Sequence, residues 1–195
     1  MPRWEPNALE RLHDAAIELF VEQGFDQTTV AEIAERAGLT ERTFFNHFPS
    51  KREVLFGRTS EVQKQVVVRA IAACPPGLRP LEAVIIGLQA AADEVLEDFR
   101  APAALRRVII ETTPELQERE EGKRAALIAA VAASLVERGV SNNDAFLFGG
   151  IGLLVQQAAE QRWILPDECR PLRELLPEAL AKARVLIAND APHET

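Results

Sequence analysis

Apolar residues recur at helical spacing along almost the whole chain, separated by glycine, proline and capping residues. Leu9, Leu12, Ala16, Leu19 and Phe20 form the first stripe. Asn7 and Glu10 mark its start after Pro6, and Gly24 its stop, which predicts a helix over 8–23. Thr29 with Glu32 three positions on predicts a capping box, and Val30, Ile33, Ala34 and Ala37 line a short helix ended by Gly38. Thr40 caps a third short helix on which Phe44 and Phe48 share a face, with Pro49 as the stop. Ser50 and Glu53 predict a further capping box that opens a long helix over 51–73.

Cys74-Pro75-Pro76-Gly77 is a clear break. Beyond it, Leu81, Val84, Ile85, Leu88, Val95, Leu96 and Phe99 predict a helix over 81–99, and Pro102 stands near the start of a shorter one over 102–111. Thr113-Pro114 opens a helix to 138 that Gly139 ends, and Ser141 with Asp144 caps one over 142–162. The last region, 171–188, carries Pro177 inside it and is compatible with one helix or two short ones. No strand alternation and no internal repeat are visible, so the fold class is all-α with about nine helices. The expected organisation is a first domain over 1–55, a second helical domain over 56–190 and a disordered tail over 191–195.

Composition narrows the function class. The 195 residues carry 22 Lys+Arg against 30 Asp+Glu, a net charge of −8, which argues against coating nucleic acid through bulk positive charge. The sum hides a contrast. Residues 36–58 hold five basic side chains (Arg36, Arg42, Lys51, Arg52, Arg58) and two acidic ones (Glu41, Glu53), a local +3 between two acidic stretches. Cys74 and Cys169 stand alone, with no metal-ligand spacing, and Met1 to Pro6 has no apolar signal core, so a reduced cytoplasmic setting is expected. The apolar stretches 125–136 and 145–155 are about half the ~20 residues that a membrane span needs, so no membrane association is expected.

The segment TTVAEIAERAGLTERTFFNHFPSK at 28–51 carries the chemistry. Two short helices meet at Ala37-Gly38-Leu39-Thr40, the layout of a helix-turn-helix whose second helix enters the DNA major groove. On that helix Arg42 can reach a phosphate or a guanine edge, and Thr43 offers a hydroxyl and a methyl. Phe45 points away from the Phe44/Phe48 pair toward a thymine methyl, and Asn46 and His47 are donors to base or phosphate. Lys51 opens the next helix, where its charge and the backbone N–H groups together could hold a phosphate.

These residues resemble the DNA-binding region of the TetR family of bacterial transcriptional regulators. The likeness lies in Gly24-Phe25-Asp26-Gln27-Thr28-Thr29-Val30, in Ile33 to Thr40, and in Thr43-Phe44-Phe45-Asn46-His47-Phe48-Pro49-Ser50-Lys51. It covers about the first 55 residues, and it implies DNA contacts at Thr29, Arg42, Thr43, Phe45, His47 and Lys51, with Thr28, Glu41 and Asn46 as further candidates. Phe45 stands where the family commonly has tyrosine, and Asn46 where it often has an aromatic residue, so operator sequence does not carry over at these positions.

The resemblance also implies a homodimer and a small apolar or amphipathic effector, with double-stranded DNA as the partner and no cofactor. Two copies related by a dyad read half-sites about 34–36 Å apart. Phe146, Gly149, Gly150, Leu153 and Trp163 are the candidate dimer contacts, because mid-helix glycines among large apolar residues permit close helix approach. Ile86, Gln89, Asp93 and Gln157 border apolar faces and are the candidate effector pocket. An enzyme reading has little to rest on. His13, His47 and His193 show no ligand spacing, and Gly150-Ile151-Gly152 follows no strand and lacks the third glycine of a nucleotide loop. A helical protein–protein interaction module is the alternative, but it does not account for Arg42, Thr43, His47 and Lys51 together.

Overall fold

The computed structural model describes residues 8–57 and 59–189. The Asn7 cap and the 191–195 tail lie outside the described residues. The described chain is all-α, with ten α-helical segments: α1 Ala8–Gln23, α2 Val30–Arg36, α3 Glu41–His47, α4 Glu53–Phe56, α5 Thr59–Ala73, α6 Pro80–Ala91, α7 Arg100–Glu111, α8 Pro114–Glu137, α9 Asn142–Trp163 and α10 Leu172–Asn189. Between α6 and α7 the backbone runs on through a π-type turn, Ala92–Leu96, and a 3-10 turn, Glu97–Phe99. The predicted gap before Pro102 is therefore closed. Pro102 is the third residue of α7, just after the 3-10 turn.

The chain forms two compact units, and the boundary differs from a single cut after residue 55. The first unit comprises residues up to Ser60 together with 102–120, and the second comprises 61–101 with the residues from 121 on. Segment 102–120 joins the first unit because Ile109, Ile110 and Leu116 are buried in the same core as Leu12, Phe20, Ile33, Phe44, Phe48 and Val54–Phe56. Polar contacts reinforce that placement. Arg119 donates to both oxygens of Glu53 at 2.7 and 3.0 Å. Arg106 donates to the Leu55 carbonyl at 2.9 Å and to Glu120 at 3.0 Å. Both guanidinium groups lie 5.2 Å from the Phe56 ring centroid.

The predicted 51–73 helix is not one helix. Gly57, at φ +51°, ends α4 after a single turn, and α5 begins at Thr59. The Ser50–Glu53 capping box does not form either. Glu53 N–H donates to the Ser50 carbonyl at 3.1 Å, while the Glu53 carboxylate faces Arg119.

His13 on α1 supplies a pH-sensitive element of the first unit. Its side chain is 14% exposed, and burial, the leading cause, lowers its pKa; Arg106 adds to this, while Asp14 at 3.5 Å opposes it. The folded value thus lies below the unfolded one. The resulting stability is present above pH ~6.5 and is lost as the pH falls through the folded value. The urea midpoint of the first unit should drop between pH 7.5 and pH 5.5, and His13→Gln should flatten that part of the profile.

In the second unit, helices approach closely at glycines. Gly87 faces Val67 and Ile71 of α5, Gly152 faces Val84 of α6, and Gly149 faces Ile128 of α8. The region 172–189 is one helix despite Pro177. Proline at 177 removes the N–H that would meet the Arg173 carbonyl, and Gln89 Nε2 donates to that carbonyl instead, at 3.0 Å. No helix among the described residues is long and apolar enough to cross a membrane.

Candidate nucleic-acid interface

The first unit builds its helix-turn-helix from local capping. Glu32 N–H donates to Thr29 Oγ1 at 3.2 Å and Thr29 N–H donates to Glu32 Oε2 at 2.7 Å, so the predicted capping box is complete. At the corner Gly38 adopts φ +64°, and Leu39 N–H returns to the Ala34 carbonyl at 2.8 Å. Arg11 of α1 donates to the Ala37 and Gly38 carbonyls and holds the corner from outside. Thr40 caps α3 by accepting Thr43 N–H at 3.2 Å.

Phe44 and Phe48 anchor α3, both buried, with ring centroids 5.5 Å apart. The opposite face is thereby turned outward. Glu41, Arg42, Phe45 and Asn46 are exposed, and Thr43 and His47 are half-buried beside them. Phe45 is 54% exposed and touches Phe44 edge-on at 5.5 Å. Arg42 makes no hydrogen bond or ion pair with any described residue. Thr29 is exposed at the start of α2. One short helix therefore presents a cation, an apolar ring and amide and imidazole donors in the combination that base edges and phosphates require.

Two predicted contacts are placed differently. Thr28 is 2% exposed, and its hydroxyl donates to the Gly24 carbonyl at 2.8 Å, so its side chain is withdrawn from any reading surface. Lys51 precedes α4 instead of opening a helix, and its Nζ donates to the carbonyls of Phe25 at 2.6 Å and Thr28 at 2.9 Å. The +3 stretch is likewise largely internal. Arg36 is held by Glu22 at 2.8 and 2.9 Å and by Glu18 at 3.3 Å, which raises its pKa and lowers that of Glu22. Arg52 faces Glu53 and Glu115 at 3.6 and 3.9 Å. Arg58 lies outside the described residues.

The second unit corrects several candidates. Gly149 packs against α8 of the same chain, and Trp163 is buried, with Nε1 donating to Glu97 at 3.3 Å, so neither belongs to an outer face. Phe146, Gly150 and Leu153 lie together on the outward side of α9 with Leu147 and Leu154, and a Cβ at Gly150 would meet no atom within 4 Å. None of the pocket candidates Ile86, Gln89, Asp93 and Gln157 is buried. Gln89 and Asp93 both hold Arg173, the latter at 2.8 Å, and Gln157 shares the outward face of α9 with Gly150.

The inward polar groups that sequence reading missed are Gln63, Ser134 and Gln156. Gln156 Nε2 donates to Glu160 at 2.6 Å, while Gln156 Oε1 and Ser134 Oγ are buried without a partner among the described residues. Because α9 is apolar on nearly every side, the choice between Gln156 and Gln157 could not be read from spacing.

The model for bacterial regulatory proteins of the tetR family matches residues 12–56. The HTH-type transcriptional regulator TcmR of Streptomyces glaucescens is 34% identical over 134 residues, 62% of this chain, and the chain spans 58% of that relative's length. The solved SmeT–triclosan complex has a TM-score of 0.61 at 20% identity, covering 91% of both chains. FadR of Thermus thermophilus, a TetR-family transcriptional repressor solved with lauroyl-CoA, has a TM-score of 0.50 at 26% identity, covering 96% of this chain and 97% of its own.

Proposed function

The chain belongs to the TetR family of bacterial regulatory proteins, and we propose that it is a cytoplasmic transcriptional repressor that binds a palindromic operator as a homodimer and is modulated by a small effector. The observation that carries this reading is the outward face of α3. Arg42 and Phe45 have no internal task that explains their exposure, and Asn46 and His47 extend the same face.

In this reading Arg42 meets a guanine edge or phosphate and Phe45 a thymine methyl, while Thr43, Asn46, His47, Glu41 and Thr29 set register. Arg42→Ala should cost about 1–3 kcal/mol of DNA affinity and relax the base preference at one position of each half-site. Affinity measured over a set of single-base operator variants checks this. Equal affinity of mutant and parent on all variants would place the reading surface elsewhere.

The homodimer reading is supported by the apolar outer face of α9 and by Val185, Leu186 and Ile187 on α10, all exposed in the single chain. Ser60 Oγ, Ser134 Oγ and Gln156 Oε1 are buried without a partner among the described residues, and the last two, in the second unit, are the groups we assign to an effector. The Gln156 nitrogen is committed to Glu160, which leaves an acceptor, so a ligand polar end would donate to it. An effector that meets this acceptor would carry a hydroxyl or N–H donor. Its binding would alter the separation of the two α3 helices, for which a coupling of about 1–3 kcal/mol suffices. The break at Gly57 removes the 51–73 lever; α8, which starts within the first unit and continues into the second, is the unbroken element in its place.

A further inference from the structure

We propose that the first unit holds a binding site of its own for a small hydrophobic amine, in the cavity between the end of α1, the α1–α2 connection and α7. The cavity has a volume of about 530 Å³, and every residue that lines it belongs to the first unit. Small-molecule sites fall within about 300–1,000 Å³. None of the lining residues lies on α3, so the site is separate from the reading face. It is separate too from the buried acceptors assigned to an effector, Gln156 and Ser134, which belong to the second unit.

Apolar groups form most of its wall. Phe20, Phe25 and Ile109 are buried, and the rings of Phe20 and Phe25 stand 5.1 Å apart. Val21, Leu105 and Val108 line the same cavity yet remain exposed in the folded chain. Three large apolar side chains left in water around one concavity favour a hydrophobic body that covers them.

The polar end of the ligand follows from Asp26. It is the one ionisable side chain among the lining residues, and it makes no hydrogen bond or ion pair with any described residue. It continues a series of acids at every fourth position, Glu10, Asp14, Glu18 and Glu22, of which Arg36 engages the last two. The neighbouring cations are committed to other partners. Arg106 and Arg107 of α7 donate to Glu120 at 3.0 Å and to Glu111 at 2.6 Å. Lys51 donates to the Phe25 carbonyl at 2.6 Å, and its side chain is not part of the wall. An ammonium at the cavity would therefore meet a carboxylate that no cation of the fold neutralises, with the Gln27 amide oxygen as a further acceptor. A ligand carboxylate would be repelled. The occupant would rest on residues 23–27, directly before the Thr29 cap of α2.

The test uses the 195-residue chain and three probes of one shape: phenylbutylamine, phenylbutanol and phenylbutyrate. Each is titrated while the backbone amide NMR shifts are followed. The amine should bind with a Kd of about 0.1–1 mM, ordinary for a ligand of this size, and should move the amides of 23–28 and 105–113. The alcohol should bind about three- to fivefold more weakly, as expected for losing an exposed ion pair, and the acid more weakly still. In Asp26→Asn the advantage of the amine over the alcohol should vanish. Val108→Trp fills the cavity from its exposed side and should abolish measurable binding of the amine. Asp26 and Val108 are both exposed, so both variants should keep parental helicity and stability.

Equal affinity for amine and alcohol, or tighter binding of the acid, would overturn the proposal. So would shifts confined to the second unit, an amine advantage that survives in Asp26→Asn, or no shift with any probe at millimolar concentration. If either variant does not fold, the order of the three probes and the position of the shifts in the parent chain decide. No DNA enters the measurement, so its outcome is independent of the operator reading.

Discussion

In the proposed homodimer, replacing Leu154 with glutamate should separate the subunits while leaving each one folded. Leu154 is 67% exposed in the single chain, so the substitution removes little from the subunit's own packing. On the outward face of α9 it stands with Phe146, Leu147, Gly150 and Leu153. Where two copies of this face meet, each new carboxylate would be buried without a cation, a cost of about 3–5 kcal/mol for an unpaired buried charge. Sedimentation at micromolar concentration should show one species of monomer mass with parental helicity. DNA affinity should fall at least a hundredfold, because a single α3 then engages one half-site without the second. A dimer that survives with parental DNA affinity would move the interface away from α9.

Phe44→Ala should unfold the first unit and abolish DNA binding while the second unit persists. Phe44 is fully buried, with the rings of Phe45 and Phe48 each at 5.5 Å, in the core that also holds Phe20, Ile33 and Phe56. Truncating a buried phenylalanine costs about 3–5 kcal/mol, comparable to the total stability of a small domain. Thermal unfolding followed by calorimetry should gain an early transition, and proteolysis should cut within residues 8–57 first. Phe45→Ala is the contrasting substitution. It removes an exposed ring of the same helix, so stability should remain within about 0.5 kcal/mol of the parent while DNA affinity falls. Equal loss of stability in both variants would show that the two faces of α3 are not divided between core and surface.

What could be read from the sequence was set by interactions a few residues apart. The Thr29–Glu32 box, the Gly38 corner and the Thr40 and Ser141 caps follow from local capping chemistry, and the structure forms each of them. The outward face of α3 was legible for the same reason, since Phe44 and Phe48 mark the inward one.

The misreadings arise where a distant residue decides. Glu53 is drawn from its predicted box by Arg119, 66 positions away, and Gln89 serves the carbonyl freed by Pro177 in a helix 84 positions on. The Lys51 and Thr28 side chains direct their polar atoms at backbone carbonyls, a placement that no spacing rule reveals. Segment 102–120 belongs with the first unit because of Ile109, Ile110 and Leu116, whose periodicity announces a buried face but not its partner. The local +3 was a correct count, but Arg36, Lys51 and Arg52 are largely engaged within the fold, and Arg42 is left to face outward.

The measurement that tests the central claim most directly is selection by the purified 195-residue chain from a pool of random duplexes at physiological salt. The account predicts enrichment of a palindrome whose half-site centres lie about one helical turn, or a whole multiple of it, apart, with the preference relaxed at one half-site position in Arg42→Ala. A pool that stays random after repeated rounds, with the protein folded throughout, would contradict it and favour the helical interaction module.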